Sequence, residues 1–192
     1  GSIGKGTGGL RAETYLRTYP SILALARAPE KDVTQLQQLM CATYGWMPRI
    51  LRIDAGFLPA AVAAFSKARE AKMENWQEVS VDSMAKCVRS VVGASKILHF
   101  VNPSVFPIWD SKVERYRLNC TVLPYSHMGN VEHYQNYVRD VHAMLRDPRA
   151  GDFCGQVNSA LASRLSTLGI EPYTVTNVRA IEMAAFALAG EG

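Results

Sequence analysis

The sequence predicts an all-α protein, a compact bundle of eight or nine short to medium helices with room for two lobes around a cleft. Three observations predict it. Apolar residues recur at steps of three and four along most of the chain, as at Val33, Leu36, Leu39 and Met40. Capping residues and breakers fall between these runs, as at Asp82, Asn102-Pro103, Asp110 and Gly169. Strand signals are few, and Thr121-Val122-Leu123 is too short to found a sheet. The 192 residues are 48% hydrophobic and 20% charged, which supports a real core and excludes a disordered chain, a collagen and a small disulfide scaffold.

The elements follow in chain order. Gly1 to Gly9 is glycine-rich, has no order of a phosphate loop, and reads as a flexible tail or an expression remnant, leaving 10–192 as one helical domain. Glu13 to Leu25 is helical and interrupted by Pro20; Lys31 to Tyr44 follows and stops at Trp46-Met47-Pro48. Gly56 to Met73 is an Ala-rich helix with Pro59 in its first turn. Ser80 to Phe100 reads as the longest helix, capped by Ser80 or Asp82, with Val81, Met84, Val88, Val91, Ser95 and Leu98 as its buried stripe. Asn102-Pro103 ends it, an irregular stretch runs to Trp109, and Asp110-Ser111-Lys112-Val113-Glu114 has the form of a new helix start. Cys120 to Gly129 is loop. Val131 to Leu145, Asp152 to Leu168 (closed by Gly169) and Thr176 to Leu188 complete the set.

Several function classes drop out. No apolar run reaches the roughly 18 residues of a membrane span, and no signal-peptide pattern opens the chain. Cys41, Cys87, Cys120 and Cys154 are more than thirty residues apart, so no zinc ribbon or iron–sulfur knot is expected; dispersed thiols of this kind suit a reduced, cytoplasmic setting. His127 and His133 lack the paired carboxylate or thiolate of a metal site, and neither metal nor cofactor is expected. The net charge of +4 permits a polyanionic partner without demanding one.

The stretch from Ala85 to Leu118 carries the chemistry. On one long helix, Arg89, Gly93, Lys96 and Phe100 share a side that flanks the apolar stripe, and Gly93 would let a phosphate or a backbone approach closely. Phe106-Pro107-Ile108-Trp109 is a stiff approach to Asp110 at the start of the next helix. Asp110 admits two roles: a cap, worth about 0.5–2 kcal/mol, or a positioned anion facing a cleft. Lys96 admits three: a surface lysine, a phosphate contact, or an amine nucleophile.

The run Phe106-Pro107-Ile108-Trp109-Asp110-Ser111-Lys112-Val113-Glu114-Arg115 resembles the catalytic segment of the helix-hairpin-helix (HhH-GPD) DNA glycosylase superfamily, and is most similar to its adenine-mismatch branch. Val92-Gly93-Ala94-Ser95-Lys96 resembles a remnant of that family's hairpin and following helix. The hairpin is degenerate, with Gly93 alone; the position of the family's Schiff-base lysine falls on Val92, and the cysteine cluster of the iron–sulfur branches is missing.

The resemblance implies a divergent, monofunctional glycosylase that acts on double-stranded DNA; the sequence does not give its oligomeric state, and a monomer is the expectation. Asp110 would stabilise an oxocarbenium-like sugar and activate water against the N-glycosidic bond of a flipped base. Lys96 is the second candidate catalytic residue. The expected base pocket draws on Trp109, His99, Tyr44, Trp46 and Phe57, each of which has a core role as its alternative. The expected DNA contacts are Arg89, Gly93, Lys112 and Arg115, with a solvated charged face as theirs. The substrate is a damaged, mismatched or bulky modified base; the last would make the protein a defence factor against phage DNA. A wide polar cavity at Asp110 favours the bulky base, a narrow aromatic slot a purine lesion. A non-catalytic DNA-binding module and a helical protein-interaction domain are the competing readings.

Overall fold

The computed structural model describes residues 6–28, 33–47 and 49–189, with side chains from Ala12 onward. Nine α-helices and three short 3-10 turns account for the regular structure of the described residues, and no strand occurs among them. The helices are α1 (Gly6–Arg27), α2 (Val33–Trp46), α3 (Leu58–Glu70), α4 (Val81–Val88), α5 (Val91–Val101), α6 (Ser111–Arg117), α7 (Val131–Met144), α8 (Ala150–Thr167) and α9 (Asn177–Leu188). None is long and apolar enough to cross a membrane.

α5 lies at the centre. It packs on α1, α2, α3, α4 and α7, and only Val92 and Lys96 of its eleven residues escape full burial. A helix that is apolar nearly all round belongs inside. α9 is the second hub, packed on α6, α7 and α8. Trp76, Trp109, Tyr134, Phe65, Phe100 and Phe106 are the largest side chains sealed in the core.

Three expectations change. The helix read across Ser80–Phe100 is two helices. Arg89 turns left-handed at φ 53°, the Ser90 amide donates to the Ala85 carbonyl at 3.0 Å, and the Ser90 hydroxyl caps α5 by accepting from the Gly93 amide. The apolar stripes of the two helices stay in phase across this turn, so periodicity alone merges them.

α1 runs through Pro20 without interruption. The proline lacks the N–H that would bond the Leu16 carbonyl, and the Tyr173 hydroxyl donates to that carbonyl instead, at 3.0 Å. Finally, α1 takes in Gly6 to Gly9 of the segment expected as a tail; residues 1–5 lie outside the described ones, as do Lys31 and Asp32 at the expected start of α2 and the breaker Pro48.

Candidate functional site

The chain fixes the approach to Asp110 from both sides. On α5, the Ser95 hydroxyl accepts from the Trp109 amide at 3.2 Å, and His99 Nδ1 donates to the Phe106 carbonyl at 2.7 Å. His99 Nε2 is then the acceptor for the Tyr19 hydroxyl at 2.8 Å, so the imidazole is neutral with its proton on Nδ1. From α7, the Tyr134 hydroxyl donates to the Pro107 carbonyl. The Trp109 indole is fully buried, and its Nε1 donates to Glu114 at 3.0 Å.

Glu114 has no exposure, yet it also takes bonds from Arg117 (2.7 Å) and His127 (2.6 Å). Burial opposes its ionisation, but the hydrogen bonds from Arg117, Trp109 and His127 outweigh that and hold its pKa below the ordinary carboxylate value. These contacts leave the Phe106–Trp109 segment little freedom. Asp110 is therefore delivered in one place.

Asp110 is extended at φ −145°, and its Oδ1 accepts from the amides of Lys112 (2.9 Å) and Val113 (3.0 Å). It caps α6, and both bonds end on the same oxygen. The residue is half-buried and lines a cavity of about 860 Å³. Lys96, Ile108, Tyr15 and Trp46 share the wall with it; α8 and α9 contribute Leu161, Arg164, Arg179, Glu182, Met183 and Phe186. The lining is chiefly apolar, with charged groups at few points, the usual make-up of a small-molecule site. A recess of about 180 Å³ shares Tyr15 and Arg179 with it and adds Tyr19 and Tyr173.

The predicted residues divide. Asp110, Lys96 and Trp46 meet on the cavity wall, with the Lys96 ammonium 5.6 Å over the Trp46 ring. Lys112 lies 4.2 Å over the Phe186 ring, which lines the same cavity. Arg115 is exposed on α6.

The others are elsewhere. Trp109 and His99 are sealed in the core, and their side-chain polar atoms are spent on Glu114, Phe106 and Tyr19. Tyr44 is buried and donates to the Val88 carbonyl at 3.0 Å. Its hydroxyl fills the space beside Gly93, where a Cβ would stand 2.3 Å away, so the glycine admits a tyrosine and not a phosphate. Phe57 and Arg89 border a different hollow, of about 520 Å³, beside the α4–α5 turn. The side shared by Arg89, Gly93, Lys96 and Phe100 disappears with the single helix.

Sequence reasoning missed Tyr15, Tyr19, Tyr173, Arg179 and Glu182. The i, i+3 spacing of Arg179 and Glu182 was a visible signal, but the alanines of α9 read as packing. Among the described residues no cluster of His, Cys, Asp or Glu forms a metal site; His127 and His133 instead stack at 3.9 Å beside Glu114. No protein family, curated protein or solved structure matches the chain.

Proposed function

We propose that the protein is a DNA glycosylase of the helix-hairpin-helix kind, hydrolysing the N-glycosidic bond of a flipped base. The observation that carries this reading is the seating of Asp110 on the wall of a nucleotide-sized cavity, on a backbone pinned by α5. The turn at Arg89-Ser90 between α4 and α5, one helix upstream of that carboxylate, lends it support.

The chemistry needs an anion under the sugar as positive charge grows there. The amides of Lys112 and Val113 hold the Asp110 side chain in place through one oxygen. They occupy Oδ1, which leaves Oδ2 to orient water and accept its proton. The cavity exceeds the volume of a base and takes sugar as well. Its apolar lining favours a stacked, flat base over a heavily hydroxylated one, and the recess of tyrosines is of purine size.

Lys96 shares the wall with Asp110, and in this reading it meets a phosphate or the sugar edge rather than forming a Schiff base. Borohydride trapping with abasic DNA is expected to give no covalent adduct.

The direct assay incubates the protein with genomic DNAs of different base modification and with duplexes carrying a single lesion, then heats them in alkali. Strand breaks at abasic sites are expected. Binding without breaks points to a DNA-binding module, and no binding at low salt to an interaction domain; either contradicts the proposal.

A further inference from the structure

We infer that Arg179 is the group that receives the departing base, an assignment that rests on the glycosylase reading above: the residue lines both the Asp110 cavity and the tyrosine recess that adjoins it. Four observations bring it there. Arg179 lies near the start of α9, where the Thr176 hydroxyl caps the helix by accepting from the Arg179 amide. Its Nη1 is held by the Glu182 carboxylate. Its Nε is sealed from solvent without a hydrogen-bond partner. The guanidinium carbon sits 5.2 Å over the Tyr19 ring, and only 14% of the side chain is exposed.

A buried cation of this kind is expensive to maintain. Burial pulls its pKa below the usual guanidinium range, against the opposing influence of Tyr19, Tyr173, Tyr137 and Asp110. An acceptor arriving in the cavity relieves that cost.

Glycosidic hydrolysis supplies such an acceptor. As the C1′–N bond breaks, its electron pair goes to the base nitrogen. The oxygen of water bonds to C1′, and the water proton passes to Asp110. The base leaves as an anion and is protonated afterwards from solvent. Asp110 serves the sugar cation but repels this anion, so a positive group is needed at the base.

Arginine only donates hydrogen bonds. The substrate class is thus a base that turns a carbonyl oxygen or an unprotonated ring nitrogen toward the recess and departs with negative charge. An N-alkylated base, already cationic, has no use for Arg179.

The test measures single-turnover base release by the full chain. The probes are duplexes containing uracil, hypoxanthine, 8-oxoguanine, or adenine opposite 8-oxoguanine, and DNA carrying glucosylated hydroxymethylcytosine. Wild type is expected to release at least one of these bases. On that DNA Arg179→Met should slow release about 100-fold with DNA affinity within about threefold of wild type, the size of effect seen when one donor to a developing anion is removed. Arg179→Lys, which keeps a cationic donor, should recover at least about tenfold of that loss. If Arg179→Met fails to fold because Glu182 is stranded, the Arg179→Met/Glu182→Met double variant carries the same comparison, since both buried charges go together. Near-native release by the methionine variant, or lysine no better than methionine, overturns this assignment and leaves the glycosylase reading standing. No release by wild type from any of these probes overturns the Arg179 assignment; no release from DNA carrying N-alkylated bases either overturns the glycosylase reading as well.

Discussion

Two roles often set against each other meet at Asp110, the helix cap that the structure shows and the reactive anion that we propose. They are compatible because a carboxylate has two oxygens and both capping amides converge on Oδ1. The place of Asp110 at a helix start was legible in the sequence, since the stiff Phe-Pro-Ile-Trp run ends there and a capping pattern follows. The roles of Trp109, His99 and Gly93 were not. Each is a residue type found in sites and in cores alike, and what decides between them is a partner far along the chain: Tyr19 for His99, and Tyr44 for Gly93. Gly93→Ala is accordingly expected to act on packing. A methyl 2.3 Å from the Tyr44 hydroxyl must displace that ring, at about 1–3 kcal/mol of stability, read as a lower melting temperature. Tyr44→Phe should be less costly in the Gly93→Ala background than in wild type, because it removes the atom that clashes. A double-mutant cycle in thermal unfolding measures this coupling.

At the scale of elements, helix existence was readable almost throughout and helix boundaries were not. The α4–α5 junction shows why. A run of in-phase apolar residues continues through it, and the break is made by backbone geometry at a residue, Arg89, with no preference for that geometry. A left-handed non-glycine residue is strained, so Arg89→Gly should stabilise the fold by up to about 1 kcal/mol, seen as a rise in melting temperature. If Arg89 also meets DNA, its loss weakens binding and reduces the salt dependence at the same time. Pro20 teaches the converse. A proline usually marks an end, but here the carbonyl it orphans is taken by Tyr173, more than 150 residues away, and α1 continues. No local pattern encodes that rescue.

For the whole molecule, the cavity is the feature least visible in sequence, because α1, α2, α5, α8 and α9 all contribute to it. The frame that holds it contains two buried histidines, His99 and His142. Burial, then Arg179, pushes the His99 pKa down from 6.5 to about 3, against the Phe106 carbonyl; burial also lowers that of His142. A histidine depressed in the folded state contributes stability that is complete above its unfolded pKa and lost as pH falls toward its folded one. Melting temperature should therefore fall as pH drops below about 6.5, each fully buried neutral histidine adding up to about 1.4 kcal/mol of loss per pH unit. His99→Gln should lower stability at pH 7 and flatten that slope in a thermal-unfolding series. The chemistry itself is tested most directly by Asp110→Asn. Asparagine caps a helix as well as aspartate does, so the fold and DNA affinity should survive while the negative charge is lost. Free base released from DNA by wild type and by this variant, quantified by mass spectrometry, should differ by several orders of magnitude; equal release by the two proteins would contradict the account.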